Sequence, residues 1–512
     1  MNIPLLLRTA RYVTPVQAWY QLWYKVHRAK YEPMQAPTHE ISSLKTSPIA
    51  KPKSVEGDVF TFLNIQQVFE GWDNTSHGNL WTYNQNYFDW LGQEGMTAEE
   101  GCRWIDRFVK DIPSITIGLH PYPIALRVIN WVKFFICHPE CASRDRENSL
   151  YSQLVLLNKK LEYHIYNNHL LEDAYALYIG ATYFNDERLL KRGAKLLRKL
   201  LKYQVLPDGA HYEQSPMYHC ILLDRLLDVI NIAKNEVKCK KEDARCFREY
   251  AERMLGHLES IVWKDGGIPL LSDSAYGIAP MPEQIFDYAR RLSLEWKAIP
   301  MKECGYRRLI NDCMEAVVDI GNIAAKYQPG HNHADIFSYE LRVKGLPFVV
   351  DTGISTYNKD VRRQFERSTP AHNTVSVNGK DSTEVWGGFR VGSRATVSVN
   401  CEETIDNSSV IEASHNGFDK PCKRRFEITE DAFAIEDFYG GEGVSYIHLA
   451  PEVKVQSVEQ DCVKTTNAVI RLHGASKMEI KNVEVATEYN QLKPTTCVAI
   501  HFKEKLKYII SV

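Results

Sequence analysis

From about Thr97 to Leu294, apolar residues recur at three- and four-residue spacing in one segment after another. Trp104–Ile112, Ile124–Phe135, Tyr151–Tyr166, Leu170–Phe184, Arg188–Leu206, Met217–Ala233 and Cys246–Trp263 each read as a helix with a buried face. The breaks between them are short and polar or rich in Gly and Pro: His120-Pro121, Asn185-Asp186, Pro207-Asp208-Gly209 and Asp265-Gly266-Gly267. Short turns make consecutive helices antiparallel neighbours. The series therefore predicts helical hairpins closed into a toroid, with a plain bundle as the alternative.

Near residue 305 the period changes to two. Phe337-Ser338-Tyr339-Glu340-Leu341-Arg342-Val343 alternates, Gly345 interrupts, and Phe348-Val349-Val350 resumes. Thr374–Asn378 runs into a turn at Gly379, and alternation returns through Arg394–Val399, Val410–Ala413, Arg424–Thr429 and Val444–Leu449. Helices followed by strands predict two domains, the second an antiparallel β-sandwich. The expected division is an N-terminal segment and strap over 1–60, a helical domain over 61–305 and a β domain over 306–512. The strap is the stretch Glu32–Lys53, rich in Pro, Ser, Thr and Lys.

At 512 residues the chain is long enough for two large cores. Its formal net charge of −2 argues against a protein that coats nucleic acid, though a local basic cleft would still suit a polyanion. Twelve cysteines without CxxC pairs read as buried free thiols rather than a disulfide or zinc framework. Aromatic residues make up 11% of the chain, which suits stacking on sugar rings and equally suits large helical cores. Leu5-Leu6-Leu7 is too short an apolar run, cut by Arg8 and Arg11, for a standard signal peptide. No stretch is apolar enough to span a bilayer, so a cytoplasmic or membrane-peripheral location is expected. The segment Val13–Val26 reads as an amphipathic helix, either lying on a surface or packed on its own domain.

Four clusters could carry chemistry. In Asn167-Asn168-His169-Leu170-Leu171-Glu172, His169 and Glu172 share a helical face, so Glu172 could orient the imidazole; an Asn here serves equally as an N-cap. Asp208–His219 places two Tyr and two His in a polar loop leading into a helix, with Pro216 suited to its first turn. Either acid–base work by a tyrosine or a helix–helix polar contact accounts for them. Gly330-His331-Asn332-His333-Ala334-Asp335 precedes a strand, and alternation would turn His331 and His333 to the same side. Asp351 and Pro370-Ala371-His372-Asn373-Thr374 follow. Two His and an Asp from adjacent strands could converge on a cation such as zinc, or form a hydrogen-bonded corner.

In this order the clusters resemble the heparinase II/III family of polysaccharide lyases and the related alginate lyases, from about Trp81 to the C-terminal strands. The resemblance rests on Asn168-His169-x-x-Glu172, Ser215-x-x-Tyr218-His219, His331-x-His333-Ala334-Asp335 and Ala371-His372-Asn373-Thr374. It implies an incomplete (α/α) toroid followed by an antiparallel β-sandwich, with the active site between them. By the same resemblance Asn168 and His169 would contact a uronate carboxylate, Tyr218 and His331 would be catalytic, and His333, Asp351 and His372 would hold a structural metal, usually zinc. Tyr357 would match a second tyrosine of the alginate-lyase relatives, Arg363 or Arg367 would grip the anionic chain, and Glu172 would lie with the substrate-binding set. Leu5-Leu6-Leu7-Arg8-Thr9 is similar to members linked to bacterial exopolysaccharide synthesis, and family analogy implies a periplasmic location.

The expected reaction is β-elimination on a uronic-acid polysaccharide. Donors neutralise the carboxylate, a base takes the C5 proton and an acid protonates O4. Two rivals stand beside it. An inverting glycoside hydrolase would need two carboxylates roughly 6.5–9.5 Å apart across the cleft, with Asp208, Glu213 and Asp273 as candidates. A non-catalytic polysaccharide-binding protein would keep the cleft without the reaction.

Overall fold

The computed structural model describes residues 3–40, 43–233, 241–327 and 329–512. Two N-terminal helices, α1 (Ile3–Ala10) and α2 (Pro15–Val26), lead through an extended strap into a small antiparallel sheet of β1 (Val55–Glu56), β2 (Val59–Phe62) and β3 (Ile65–Val68). The helical half follows: α3 (Asn79–Tyr87), α4 (Ala98–Asp111), α5 (Pro121–Cys137), α6 (Arg144–Lys159), α7 (Asn168–Tyr183), α8 (Glu187–Gln204), α9 (Pro216–Ala233), α10 (Lys241–Ile261) and α11 (Pro282–Arg291). The starts have local causes. Thr97 and Asp186 cap α4 and α8 by accepting from the Glu100 and Leu189 amides, and Pro121 and Pro216 occupy first-turn positions.

The helix expected over Tyr151–Tyr166 ends early, at Lys159. Tyr166 sits in the left-handed region at φ 60°, and the Glu162 amide donates to Asp173 Oδ2 at 2.7 Å instead of continuing a helical ladder. Residues 160–167 are consequently a loop, and that loop carries Glu162 to the site. Helices α7 and α8 pack closely: a Cβ at Gly193 would stand 3.0 Å from the Tyr178 amide nitrogen. Much of the aromatic content goes to this half's core, where Trp72, Phe88, Trp104, Phe108 and Trp131 meet mainly edge to face.

In the β half, β4 (Tyr306–Ile310), β5 (Met314–Asp319), β6 (Tyr339–Val343) and β7 (Leu346–Val349) form a four-stranded antiparallel sheet in sequence order. A short helix, α12 (Val361–Glu366), precedes β8 (Val375–Ser376) and the two-stranded pair β9 (Val385–Trp386) and β10 (Arg390–Val391). A nine-stranded sheet is then built from β11 (Val397–Ile405), β12 (Ser408–His415), β13 (Cys422–Ile428), β14 (Ala432–His448), β15 (Val455–Glu459), β16 (Cys462–Thr465), β17 (Val469–Glu488) and β18 (Gln491–Ser511). They lie in the order 11-12-13-14-18-17-16-15, with β8 on β14. One core, including Leu341, Phe348, Phe426, Ile447 and Ile500, joins residues of both sheets. The toroid-then-sandwich architecture agrees with the expectation.

Strand β6 departs from the alternating pattern in an informative way. All five residues are buried, Glu340 and Arg342 included. Their polar face is covered by the helical half: Glu340 accepts from the Leu270 amide and Arg342 pairs with Asp265. The alternation therefore marks the seam between the halves, and the cleft lies along that seam. The eleven described cysteines are all free.

Candidate active site

A cleft of about 820 Å³ opens between the halves. Its wall from the helical half includes Tyr83, Tyr87, Tyr122, Asn167, His169 and Tyr218; the other half supplies His331, Tyr357, Phe389 and Tyr489.

Asn167 caps α7, its Oδ1 accepting from the His169 amide at 3.1 Å. That cap sets the first turn, so His169 faces the cleft, while Asn168 beside it is buried and absent from the cleft lining. The Asn168 amide donates to Glu213 Oε1 at 3.0 Å, while its side-chain Oδ1 is buried without a hydrogen-bond partner. His169 lies against the Tyr122 ring, centroids 4.2 Å apart, and its Nδ1 is 3.0 Å from Glu162 Oε2. Burial opposes a charge on His169, but Glu162, then Glu213 and Glu172, outweigh it and raise its pKa above the ordinary value.

The orienting carboxylate is therefore Glu162, and the expected role of Glu172 is corrected. Glu172, in the first turns of α7, is fully buried, 3.9 Å from Arg225, with its carboxyl pushed up to about 7 by burial. It is absent from the cleft lining, and sharing a helical face with His169 did not bring the two into contact.

Tyr218 enters from the first turn of α9, where Ser215 Oγ accepts its amide at 3.2 Å. Its ring stacks on His331, with centroids 3.9 Å apart and planes 11° from parallel. Its hydroxyl lies 3.1 Å from that of Tyr357. Burial raises the Tyr218 pKa, opposed by the Tyr357 hydrogen bond. His331 Nδ1 lies 2.7 Å from Glu213 Oε2. Burial works against the Glu213 charge, but His331 outweighs it and lowers the carboxyl pKa. An ionised Glu213 fixes the imidazole with Nδ1 protonated and leaves Nε2 as the basic nitrogen.

His331 and His333 do not share one strand face, because residues 329–338 form an irregular loop. Whereas His331 turns to Tyr218, His333 Nε2 lies 2.7 Å from Asp273 Oδ1, and its ring is 5.3 Å from that of His372. His372 Nδ1 in turn lies 2.7 Å from Asp351 Oδ2. His333 Nδ1 and His372 Nε2 are both buried without a partner, but among the described residues the expected trio of His333, Asp351 and His372 does not bring three ligand atoms within 4.8 Å of one another. Asp351 spends Oδ2 on His372 and Oδ1 on the Gly353 amide, so it stands as the orienting carboxylate of His372. Another group, Asp208, His257 and Cys304, has ligand atoms within 4.8 Å of one another and could hold a metal ion. Asp208 there already accepts three amides, from Ala210, Lys302 and Cys304.

The two arginines do not line the cleft. Arg363 is fully buried and forked onto Asp273 at 2.5 and 2.7 Å, with its guanidinium 5.0 Å from the Tyr357 ring centroid. Arg367, also fully buried, donates to the Asn332, Trp386 and Arg390 carbonyls. They hold Tyr357 and the His331 loop rather than grip a chain. The sequence reading missed Glu162, Tyr122 and Tyr489 and set Glu213 among hydrolase candidates. The helical periodicity across Tyr151–Tyr166 runs over the 160–167 loop that carries Glu162, and Tyr489 sits in the turn between β17 and β18.

The Heparinase II/III N-terminus family matches residues 148–292, and the Heparinase II/III-like C-terminal family matches 295–511. A heparin-sulfate lyase of Pedobacter heparinus is 25% identical over 243 residues, 42% of this chain and 36% of that one. The alignments thus span little more than a third of the curated relatives. A solved heparinase III superposes with TM-score 0.64 at 16% identity, covering 86% of this chain and 80% of the other. The chondroitin AC lyase of Streptomyces coelicolor does so with TM-score 0.54 at 10% identity, covering 99% and 82%. Two family matches across most of the chain, on a shared toroid-and-sheet architecture, give one conclusion: this chain belongs to the heparinase II/III family.

Proposed function

We propose that the protein is a polysaccharide lyase that cleaves a uronic-acid-containing polysaccharide by β-elimination. The observation that carries this reading is the stack of Tyr218 on His331 across the seam, with Glu213 behind the imidazole.

The elimination needs three things. The C5 proton becomes removable only when the neighbouring carboxylate is neutralised. His169, whose charged form Glu162 favours, supplies a donor for that carboxylate, with Asn168 next to it at the start of α7 as the second. The proton must then pass to a base, and His331, whose Nδ1 is held by Glu213, offers its Nε2 for that role. Finally the departing O4 must gain a proton, for which the Tyr218 hydroxyl, hydrogen-bonded to Tyr357, is the donor. For a uronate presenting its C5 proton on the other face, Tyr218 acts as the base. The C5–H and C4–O bonds break, a C4=C5 double bond forms, and no water is consumed.

The hydrolase reading fares worse. Asp208 is occupied by backbone amides, Asp273 by Arg363 and His333, and Glu213 by His331 and the Asn168 amide. None is free to activate a water opposite another.

A divalent cation, zinc by its ligand chemistry, would be held by His333 and His372 with Asp351 behind them. Such an ion would tie the His331 loop to the sheet and take no part in proton transfer.

The charge of the lining also bears on the substrate. Lys51 and Arg225 face the cleft already paired with Asp224, which leaves Lys359 as the lysine or arginine of the lining without a carboxylate partner among the described residues. That balance, with tyrosines along the floor, suits a polymer of low charge density better than a heavily sulfated one. Mass spectrometry of the products is the test. A lyase gives fragments whose masses sum to that of the substrate, whereas fragments heavier by one water would refute elimination.

A further inference from the structure

The N-terminal helix pair presents an inverted face. In α2 the polar Gln17 is buried at 2% exposure, donating to the Ile165 carbonyl, and Tyr20 stacks on Tyr163 at 4.6 Å. Val16, Trp19, Leu22, Trp23 and Val26, spaced three and four apart, point to solvent instead; Trp19 is 59%, Leu22 63% and Val26 78% exposed. Ile3 and Leu7 of α1 are likewise open. A stripe of this kind on a soluble surface marks a contact.

Charge identifies the partner. The first 31 residues contain Arg8, Arg11, Lys25, Arg28 and Lys30 and no Asp or Glu, in a chain whose net charge is −2. Arg8 is used on Glu384, but Lys25, Arg28 and Lys30 have no carboxylate partner among the described residues. Tryptophans and aliphatics beside unpaired basic side chains are the composition of a helix that lies in a bilayer interface. No described helix is long and apolar enough to cross a membrane, so the contact is with the surface.

We infer that α1 and α2 dock the protein onto an anionic lipid surface, with Trp19, Leu22, Trp23 and Val26 entering the headgroup region and Lys25, Arg28 and Lys30 meeting lipid phosphates. The helices are anchored on both halves beside the cleft. α2 rests on the loop that contains Ile165, a residue of the cleft wall, and α1 rests on the β9–β10 hairpin through Arg8–Glu384 and Thr9–Trp386. Docking would hold the cleft at a fixed attitude to the membrane. The inference is independent of the reaction.

The test is co-sedimentation of the full chain with vesicles of phosphatidylcholine alone and of phosphatidylcholine with phosphatidylglycerol. Binding to the anionic vesicles that weakens with added salt is expected. The triple variant Lys25→Gln/Arg28→Gln/Lys30→Gln should bind more weakly by roughly fivefold per charge removed. The variant Trp19→Ser/Leu22→Ser/Trp23→Ser should lose binding while keeping the wild-type melting temperature. Failure of the wild type to pellet, or unchanged binding by both variants, would overturn the inference. So would a dimer in light scattering that the serine variant abolishes in the absence of any vesicle binding, since the stripe would then join two copies of the chain.

Discussion

The rings of Tyr218 and His331 lie face to face, 3.9 Å apart between centroids, one carried by a helix of the toroid and the other by a loop of the β half. Neither half holds the pair alone. The seam between the domains is therefore where the proposed reaction centre lies, and each support of the pair can be removed separately.

Tyr218→Phe removes the hydroxyl and keeps the stack. Turnover should fall by about a hundred- to ten-thousand-fold with substrate affinity changed only a few-fold. Steady-state kinetics checks this. Full activity in the variant would end the assignment.

His169 should set an alkaline limit on substrate binding. Its folded pKa is raised, so it stays charged to higher pH than an ordinary histidine near about 6.5. Its pairing with Glu162 stabilises the fold fully below that value and is lost as pH rises through the raised one. Glu162→Gln should move the alkaline limb of kcat/KM to lower pH. A limb that does not move would show that another group sets it.

Arg363→Met leaves the Asp273 charge buried opposite no guanidinium. Breaking such a pair costs about 3–5 kcal/mol, so the melting temperature should fall by several degrees. Lys359→Ala, in the cleft lining, should leave the melting temperature unchanged and weaken substrate binding. A stable Arg363→Met variant with only a raised KM would restore the substrate-gripping role.

Elemental analysis separates the two candidate metal groups. One divalent ion per chain is expected, lost in His372→Ala and retained in Cys304→Ser. The reverse pattern would place the ion at Asp208, His257 and Cys304.

The sequence carried the helix-then-strand order because burial on one face imposes periods of 3.6 and 2. Tyr218 and His331 came forward through the resemblance of the ordered clusters to the heparinase II/III family rather than through periodicity. What the sequence could not carry was partner choice. Glu172 lies three residues from His169, the right spacing for contact, yet the loop closed by the left-handed Tyr166 delivers Glu162 instead. The resemblance made Arg363 or Arg367 grip the anionic chain, whereas both are buried against Asp273 and backbone carbonyls. Alternation put Glu340 and Arg342 on one face of β6, and the surface covering that face is the other domain.

The most direct measurement is the ultraviolet absorbance of an unsaturated uronate while the protein acts on a panel of uronate polymers of graded sulfation. The account predicts that the band grows with an unsulfated or sparsely sulfated polymer, and that Tyr218→Phe suppresses it. New reducing ends without the band on any polymer would contradict elimination. A band that appears only with the most heavily sulfated chains would contradict the low charge density inferred for the substrate.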